Sequence, residues 1–247
     1  MKIFLFDTET VGLNPLNFVY DIGWFITDQL GNVTKRRNFL ITEVITDGKK
    51  MMGAYFAKKI FSFYIPALDE NKIRLTSLAD VQAMMYEDLR ECEIVSAYNL
   101  GFDLSAMENT LDICGAGECI NFDAFKKLCL WQFAASTILN TPTYHKVARA
   151  NGWRTKSGNY RTTAEHTYRF LTGQNDFIES HTALDDCVIE NEILKAAYAK
   201  HKKIPYDVLA PAWRIAQPPE QLEAMKTVRR MKQLDMLDPR NYLNDRG

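Results

Sequence analysis

The chain has 247 residues, of which 47% are apolar, 12% aromatic and 25% charged, which excludes an intrinsically disordered chain and fits one large domain. Lys and Arg number 30 against 31 Asp and Glu, for a net charge of −1; this excludes a globally basic nucleic-acid coat, so contact with nucleic acid must come from local patches or metal ions. No apolar run approaches the ~20 residues of a membrane span, the opening MKIFLF is cut short by Asp7 and Glu9 and is no signal peptide, and five Cys without a regular framework point to a reducing, cytoplasmic setting.

Ile3, Phe4, Leu5 and Phe6 form a continuous apolar run, which predicts a short buried strand over residues 1–6. After a turn at Gly12-Leu13-Asn14-Pro15, residues 18–27 read as a second strand, with Gly31-Asn32 as the turn into a third over 33–42. Links this short make antiparallel neighbours. Residues 50–64 and 77–92 read as helices, the latter with Val81, Met84, Met85 and Leu89 at helical spacing. β-Branched Ile94 and Val95 mark a strand over 93–98. Residues 102–114, 125–139, 144–151, 163–172 and 181–200 favour helix, and 120–122 is the candidate for a fifth strand. The pattern predicts an α/β fold, a mixed sheet flanked by helices. From His201 the pattern weakens at Pro205, Pro211 and Pro218-Pro219 before a last helical stretch over 220–234. The expected organisation is one domain over 1–200 and a C-terminal helical extension over 201–247, too short to bury a good core alone and packed on the domain.

Three groups of residues can carry chemistry. Asp7 and Glu9 stand two apart at the end of the first strand, so their carboxylates share a face. They repel unless a cation lies between them, although a solvated strand end has the same pattern. Asp103, in Asn99-Leu100-Gly101-Phe102-Asp103, falls in the first turn of a helix, where the dipole favours a carboxylate and where Asp also serves simply as a cap. In Glu179-Ser180-His181-Thr182-Ala183-Leu184-Asp185-Asp186, the histidine stands at a helix entrance and Asp186 shares a face with Ile189 and Ile193. A carboxylate aimed at the core wants a cation. Asp185 reads as a solvated or capping acid, and His181 alone as a structural histidine. Gathered at one end of a sheet, these acids would suit hard ions, Mg²⁺ or Mn²⁺. Two such ions about 4 Å apart suit in-line attack of water on a phosphodiester.

Phe6-Asp7-Thr8-Glu9-Thr10, Asn99-x-x-Phe102-Asp103 and His181-x-x-x-x-Asp186 resemble, in order and separation, the three motifs of the DEDDh 3′–5′ exonucleases, a family that includes the proofreading subunits of DNA polymerases. The resemblance spans residues 1–200, and all five active-site positions match. It implies a ribonuclease-H-like fold. It further implies that Asp7, Glu9 and Asp186 hold one metal, that Asp7 bridges to a second supported by Asp103, and that His181 is the general base. The family spacing selects Asp186 over Asp185. Thr10, Leu13, Asn99 and Phe102 match positions that line the terminal-nucleotide pocket. The expected function is therefore a metal-dependent 3′–5′ exonuclease with two Mg²⁺ or Mn²⁺ ions per site, releasing nucleoside monophosphates. Its expected partner is a nucleic acid with a free 3′ end, single-stranded by preference and DNA rather than RNA. A polymerase or a second copy of the chain is the protein partner to consider, and no membrane is expected. An exoribonuclease using the same site and a non-catalytic nucleic-acid-binding module are the alternatives.

Two stretches mixing basic residues and rings are weaker candidates for nucleic-acid contact, 49–64 and 153–161. The first also reads as an amphipathic helix and the second as a surface loop. Cys114, Cys119 and Cys129 lack the spacing and the fourth ligand of a zinc site.

Overall fold

The computed structural model describes residues 1–12, 16–54, 57–114, 120–218, 220–223 and 226–227. Its strands are β1 (Ile3–Val11), β2 (Phe18–Thr27), β3 (Lys35–Ile41), β4 (Arg74–Thr76), β5 (Ile94–Ala97) and β6 (Lys126–Cys129). They form a mixed six-stranded sheet in the order β4-β3-β2-β1-β5-β6. β1, β2 and β3 are an antiparallel meander, whereas β5 runs parallel to β1, β6 to β5 and β4 to β3. The helices, in chain order, are α1 (Thr42–Ile45), α2 (Gly48–Met51), α3 (Ile65–Asp69), α4 (Leu78–Leu89), α5 (Leu100–Cys114), α6 (Leu130–Ala134), α7 (Pro142–Ala150), α8 (Ala164–Thr172) and α9 (Ala183–Tyr198).

The period-two alternation of β1 divides the core into two layers. Phe4 and Phe6 face Trp24 and a cluster that includes Val81 and Met85 of α4 and Leu104 and Met107 of α5. Ile3 and Leu5 face the opposite cluster, with Ile189, Ile193 and Leu194 of α9 and Tyr144 of α7. The α/β class, a mixed sheet with helices on both faces, is the one the sequence predicts. None of the described helices is long and apolar enough to cross a membrane.

Several elements differ from expectation. The first strand does not stop at Phe6: Asp7 to Val11 stay paired with β2, across a register shift after Glu9, so Asp7 and Glu9 lie inside a strand rather than at its end. The helix expected over 50–64 is interrupted, because Gly53 closes a turn on Lys50 and Ala54 bridges to Val11. Among the described residues there, helical winding is confined to Gly48–Met51 and a π-helical turn over Ile60–Tyr64. The strand expected from residue 120 starts six residues further on as β6, while Phe122–Ala124 is a 3₁₀ turn capped by the side chain of Asn121. That strand takes the first residues of the helix expected over 125–139. β4, three residues at the sheet edge, is too short to show a period in the sequence.

Beyond α9 the chain runs back over the domain. The Asp207 N–H donates to the Lys127 carbonyl at 2.8 Å, Gln132 Nε2 donates to the Ala210 carbonyl, and the His145 ring meets the Ala216 carbonyl at 2.8 Å. Most of the helix expected over 220–234 lies outside the described residues, as does Cys119 of the cysteine group. Cys129 is buried with its thiol on the Tyr98 carbonyl.

The sheet splits beside β1. This strand pairs with β2 along its whole length, but with β5 only through Ile3, Leu5 and their neighbour Phe4. Past Leu5 the two parallel strands part, and a crevice opens at the carboxyl end of β5, where open α/β sheets bind ligands.

Candidate active site

The crevice is a cavity of about 330 Å³. Asp7 and Glu9 enter it from β1, two apart and therefore on the same face as Leu5. The N-terminus of α9 comes down onto that face because Gly23, the β2 partner of Asp7, has no side chain. A Cβ there would stand 2.6 Å from the Leu184 nitrogen and 2.8 Å from the Ala183 carbonyl carbon. This close approach carries Asp186, one turn into the helix, to Glu9. The Glu9 and Asp186 carboxylates and the His181 ring each offer a ligand atom within 4.8 Å of the others.

Asp103 comes from the other layer. It lies in the first turn of α5, directly after β5, and Thr8 Oγ1 donates to its Oδ1 at 2.7 Å. Thr8 points to the opposite face from Asp7 and Glu9, so this bond brings a fourth carboxylate round the edge of β1. The cavity thus holds all five residues that the motifs single out: Asp7, Glu9, Asp103, His181 and Asp186. Asn99 and Phe102 also line it. Thr10 does not; it follows a register shift between Glu9 and Thr10 that turns the end of β1. Leu13 lies outside the described residues. Asp185 is exposed and accepts from Thr182 Oγ1 at 2.8 Å and from Ser180 Oγ at 3.2 Å, fastening the turn before α9.

Two charged groups of the site, Glu190 and Asp21, are not picked out by the sequence, and two more, Glu179 and Lys59, enter it only within longer stretches. Glu190, one turn beyond Asp186 on α9, is 1% exposed and lines the cavity; an acid repeated at i+4 on a core-facing stripe is the signal that marks it. Asp21, the Glu9 partner on β2, is a lone acid in an apolar strand. Glu179, just before the third motif, lines the cavity next to His181. Lys59 donates to the backbone carbonyls of Ser180 and His181, a contact no local pattern foretells.

Crowding shows in the protonation of these acids. Burial pushes Asp186 up to about 9, with Glu179 and Glu9 adding repulsion and Lys59 opposing it. Burial raises Glu9 to about 8, again opposed by Lys59. Asp103 is raised to about 7 by burial against the pull of its Thr8 hydrogen bond. Asp7 is held well above the usual carboxylate range by burial and then by Glu190, Asp103, Asp186 and Glu9. His181 moves the other way: burial and the Lys59 cation lower it from its ordinary 6.5.

A divalent cation fits this donor set. Asp186 Oδ1 and Glu190 Oε2 are buried without a hydrogen-bond partner. Asp88 shows how this chain satisfies a buried acid elsewhere: Trp24 Nε1 at 2.9 Å, Arg37 Nε at 2.8 Å and Lys35 Nζ at 2.5 Å surround its carboxylate. A buried carboxylate needs a proton or a cation, and an all-oxygen group beside one imidazole selects hard ions.

No protein-family model matches the chain, and no curated protein sequence matches it. Among solved structures the chain is similar to E. coli exonuclease I in complex with a dA16 oligonucleotide, at a TM-score of 0.48 and 15% identity over 96% of this chain and 45% of that one. It is similar to S. pombe Pop2p in its Mg²⁺- and Mn²⁺-bound form, at 0.47 and 12% over 78% of this chain and 81% of that one. A zinc-bound E. coli exonuclease I–single-stranded DNA complex gives 0.46 and 17% over 78% of this chain and 39% of that one. The chain therefore spans less than half the length of exonuclease I.

Proposed function

We propose that the chain is a divalent-metal-dependent 3′–5′ exonuclease acting on single-stranded nucleic acid, DNA by preference. The observation that carries this reading is the convergence of Glu9, His181 and Asp186 within 4.8 Å, in a cavity that also holds Asp7 and Asp103 and leaves Asp186 Oδ1 unpartnered. Asp7, Glu9, Asp103 and Asp186 would hold Mg²⁺ or Mn²⁺. When bound, such ions acidify water and neutralise the charge that builds on a phosphoryl group under attack.

The remaining work belongs to the side chains. His181, neutral near pH 7 because its pKa is lowered, takes the proton of the attacking water as general base. The water oxygen bonds to phosphorus as the bond to the 3′ oxygen of the preceding nucleotide breaks. The products are a nucleoside 5′-monophosphate and a strand one nucleotide shorter with a new 3′ hydroxyl. Asn99 and Phe102 line the same cavity and would orient the terminal nucleotide, the ring by stacking on a base. A volume of about 330 Å³ lies at the low end of ligand pockets, about 300–1,000 Å³. It suits one terminal nucleotide better than a duplex.

The test is digestion of one sequence, as single-stranded DNA and as RNA, labelled at the 3′ or the 5′ end, in Mg²⁺, Mn²⁺ or EDTA. Immediate release of the 3′ label as a mononucleotide, abolished by EDTA, is expected, with DNA cut faster than RNA. Release from the 5′ end, or activity that persists in EDTA, overturns the reading.

A further inference from the structure

We propose that Lys59 is the positioning residue for His181, a role that rests on the nuclease reading. The two residues lie 122 positions apart, and the lysine comes from the segment between the Val11–Ala54 bridge and α3. Lys59 Nζ donates to the carbonyl oxygens of both Ser180 and His181. Those oxygens belong to the two peptide planes that flank the His181 Cα. Because each plane is rigid, holding both oxygens fixes φ and ψ of His181 and leaves its ring only two side-chain torsions.

Such a clamp has something to hold. His181 has φ = 55°, the left-handed region that a non-glycine residue keeps only where its surroundings over-determine it. Three side chains supply that constraint. Asp185 gathers the hydroxyls of Ser180 and Thr182, Asp21 accepts the Ala183 N–H, and Lys59 takes the two carbonyls between them. Burial lowers the Lys59 pKa, and the charges of Glu9, Asp186, Asp21 and Glu179 oppose that loss. A lysine here orders the histidine-bearing turn and offsets part of the acids' repulsion at the same time.

Lys59→Met and Lys59→Arg test this, with kcat and KM on a 3′-labelled oligonucleotide and with ring resonances in ¹³C-labelled histidine. The chain has four histidines, and a His181→Asn protein assigns the signal. In the Met variant kcat is expected to fall about tenfold to a hundredfold, the cost of a misplaced group, with KM within about threefold. The His181 resonance should shift or broaden while those of His145 and His166 stay. Lys59→Arg, which can still donate to two carbonyls, should restore most of kcat and the His181 resonance. Unchanged kcat with an unmoved His181 signal in the Met variant overturns the proposal, and so does loss of folding in both variants. A His181 signal that moves in a protein whose wild type cleaves neither DNA nor RNA leaves the clamp standing and removes the nuclease reading instead.

Discussion

The carboxylate of Asp21, in the middle of β2, accepts the backbone N–H of Ala183, the first residue of α9, at 3.1 Å across 162 positions of sequence. The same oxygen accepts Tyr64 Oη at 2.8 Å, and the other accepts Asn38 Nδ2 at 2.7 Å. Thr182, at the cap position, makes no capping bond of its own because its hydroxyl donates to Asp185. The helix that bears Asp186 is therefore capped from the sheet.

Asp21→Ala strands three donors in the interior, each costing about 1–3 kcal/mol when left unsatisfied. The expected loss is about 3 kcal/mol or more in chemical denaturation. Mn²⁺ affinity by calorimetry should weaken as well, since the start of α9 loses its anchor. A variant as stable as the parent would remove Asp21 from this role.

Asp185 and Asp186 are adjacent in sequence and opposite in consequence. Asp186 is 5% exposed with one oxygen unpartnered, whereas Asp185 faces solvent. Asp186→Asn is expected to abolish detectable cleavage and weaken Mn²⁺ binding. Asp185→Asn keeps an acceptor oxygen for the Ser180 and Thr182 hydroxyls and should leave kcat within about threefold. Equal damage from the two would show that the helix presents the other acid.

His181→Asn removes the proton acceptor and leaves the carboxylates in place. A positioned general base typically contributes about 10²–10⁴-fold, so kcat should drop by that order while oligonucleotide binding in Ca²⁺ persists. Burial and the Lys59 cation lower the His181 pKa, which places the acid limb of the kcat profile below the ordinary histidine value of 6.5. Unchanged turnover in the Asn variant would take His181 out of the chemistry.

In the metal-free protein Glu9 titrates at about 8, Asp103 at about 7 and Asp186 at about 9. Unfolded carboxylates titrate near 4. A raised folded pKa means that the native state binds more protons than the unfolded state, so stability falls as pH rises. The contribution of these groups is complete below about pH 4 and lost on passing through the folded values. Thermal melts in EDTA should therefore show a midpoint that declines from about pH 5 to pH 9, and saturating Mg²⁺ or Mn²⁺ should restore it most at the alkaline end. A melting point that rises with pH in EDTA would contradict the crowding of these acids.

The local parts of this site are legible in the sequence because they obey short periods. Two-residue spacing puts Asp7 and Glu9 on one face of β1. The helical stripe of Asp186, Ile189 and Ile193 turns that acid inward, as its burial bears out. The bounds of β2 and the entrance to α9 follow from apolar pattern and turn residues. Periodicity also sets the α/β class, since each element's buried face is written in its own residues.

Which faces meet is another matter, and only the tertiary structure decides it. β4 and β6 are three and four residues long and pair in parallel, so no local hairpin announces them. Thr8 finds Asp103 because β5 leaves β1 after Ser96. Gly23 matters only because α9 crosses it, and Lys59 reaches the His181 turn only because the sheet brings the two chain segments together. A period states where a side chain points relative to its own backbone. The partner across the cavity is fixed by the packing that buries both layers of the sheet at once.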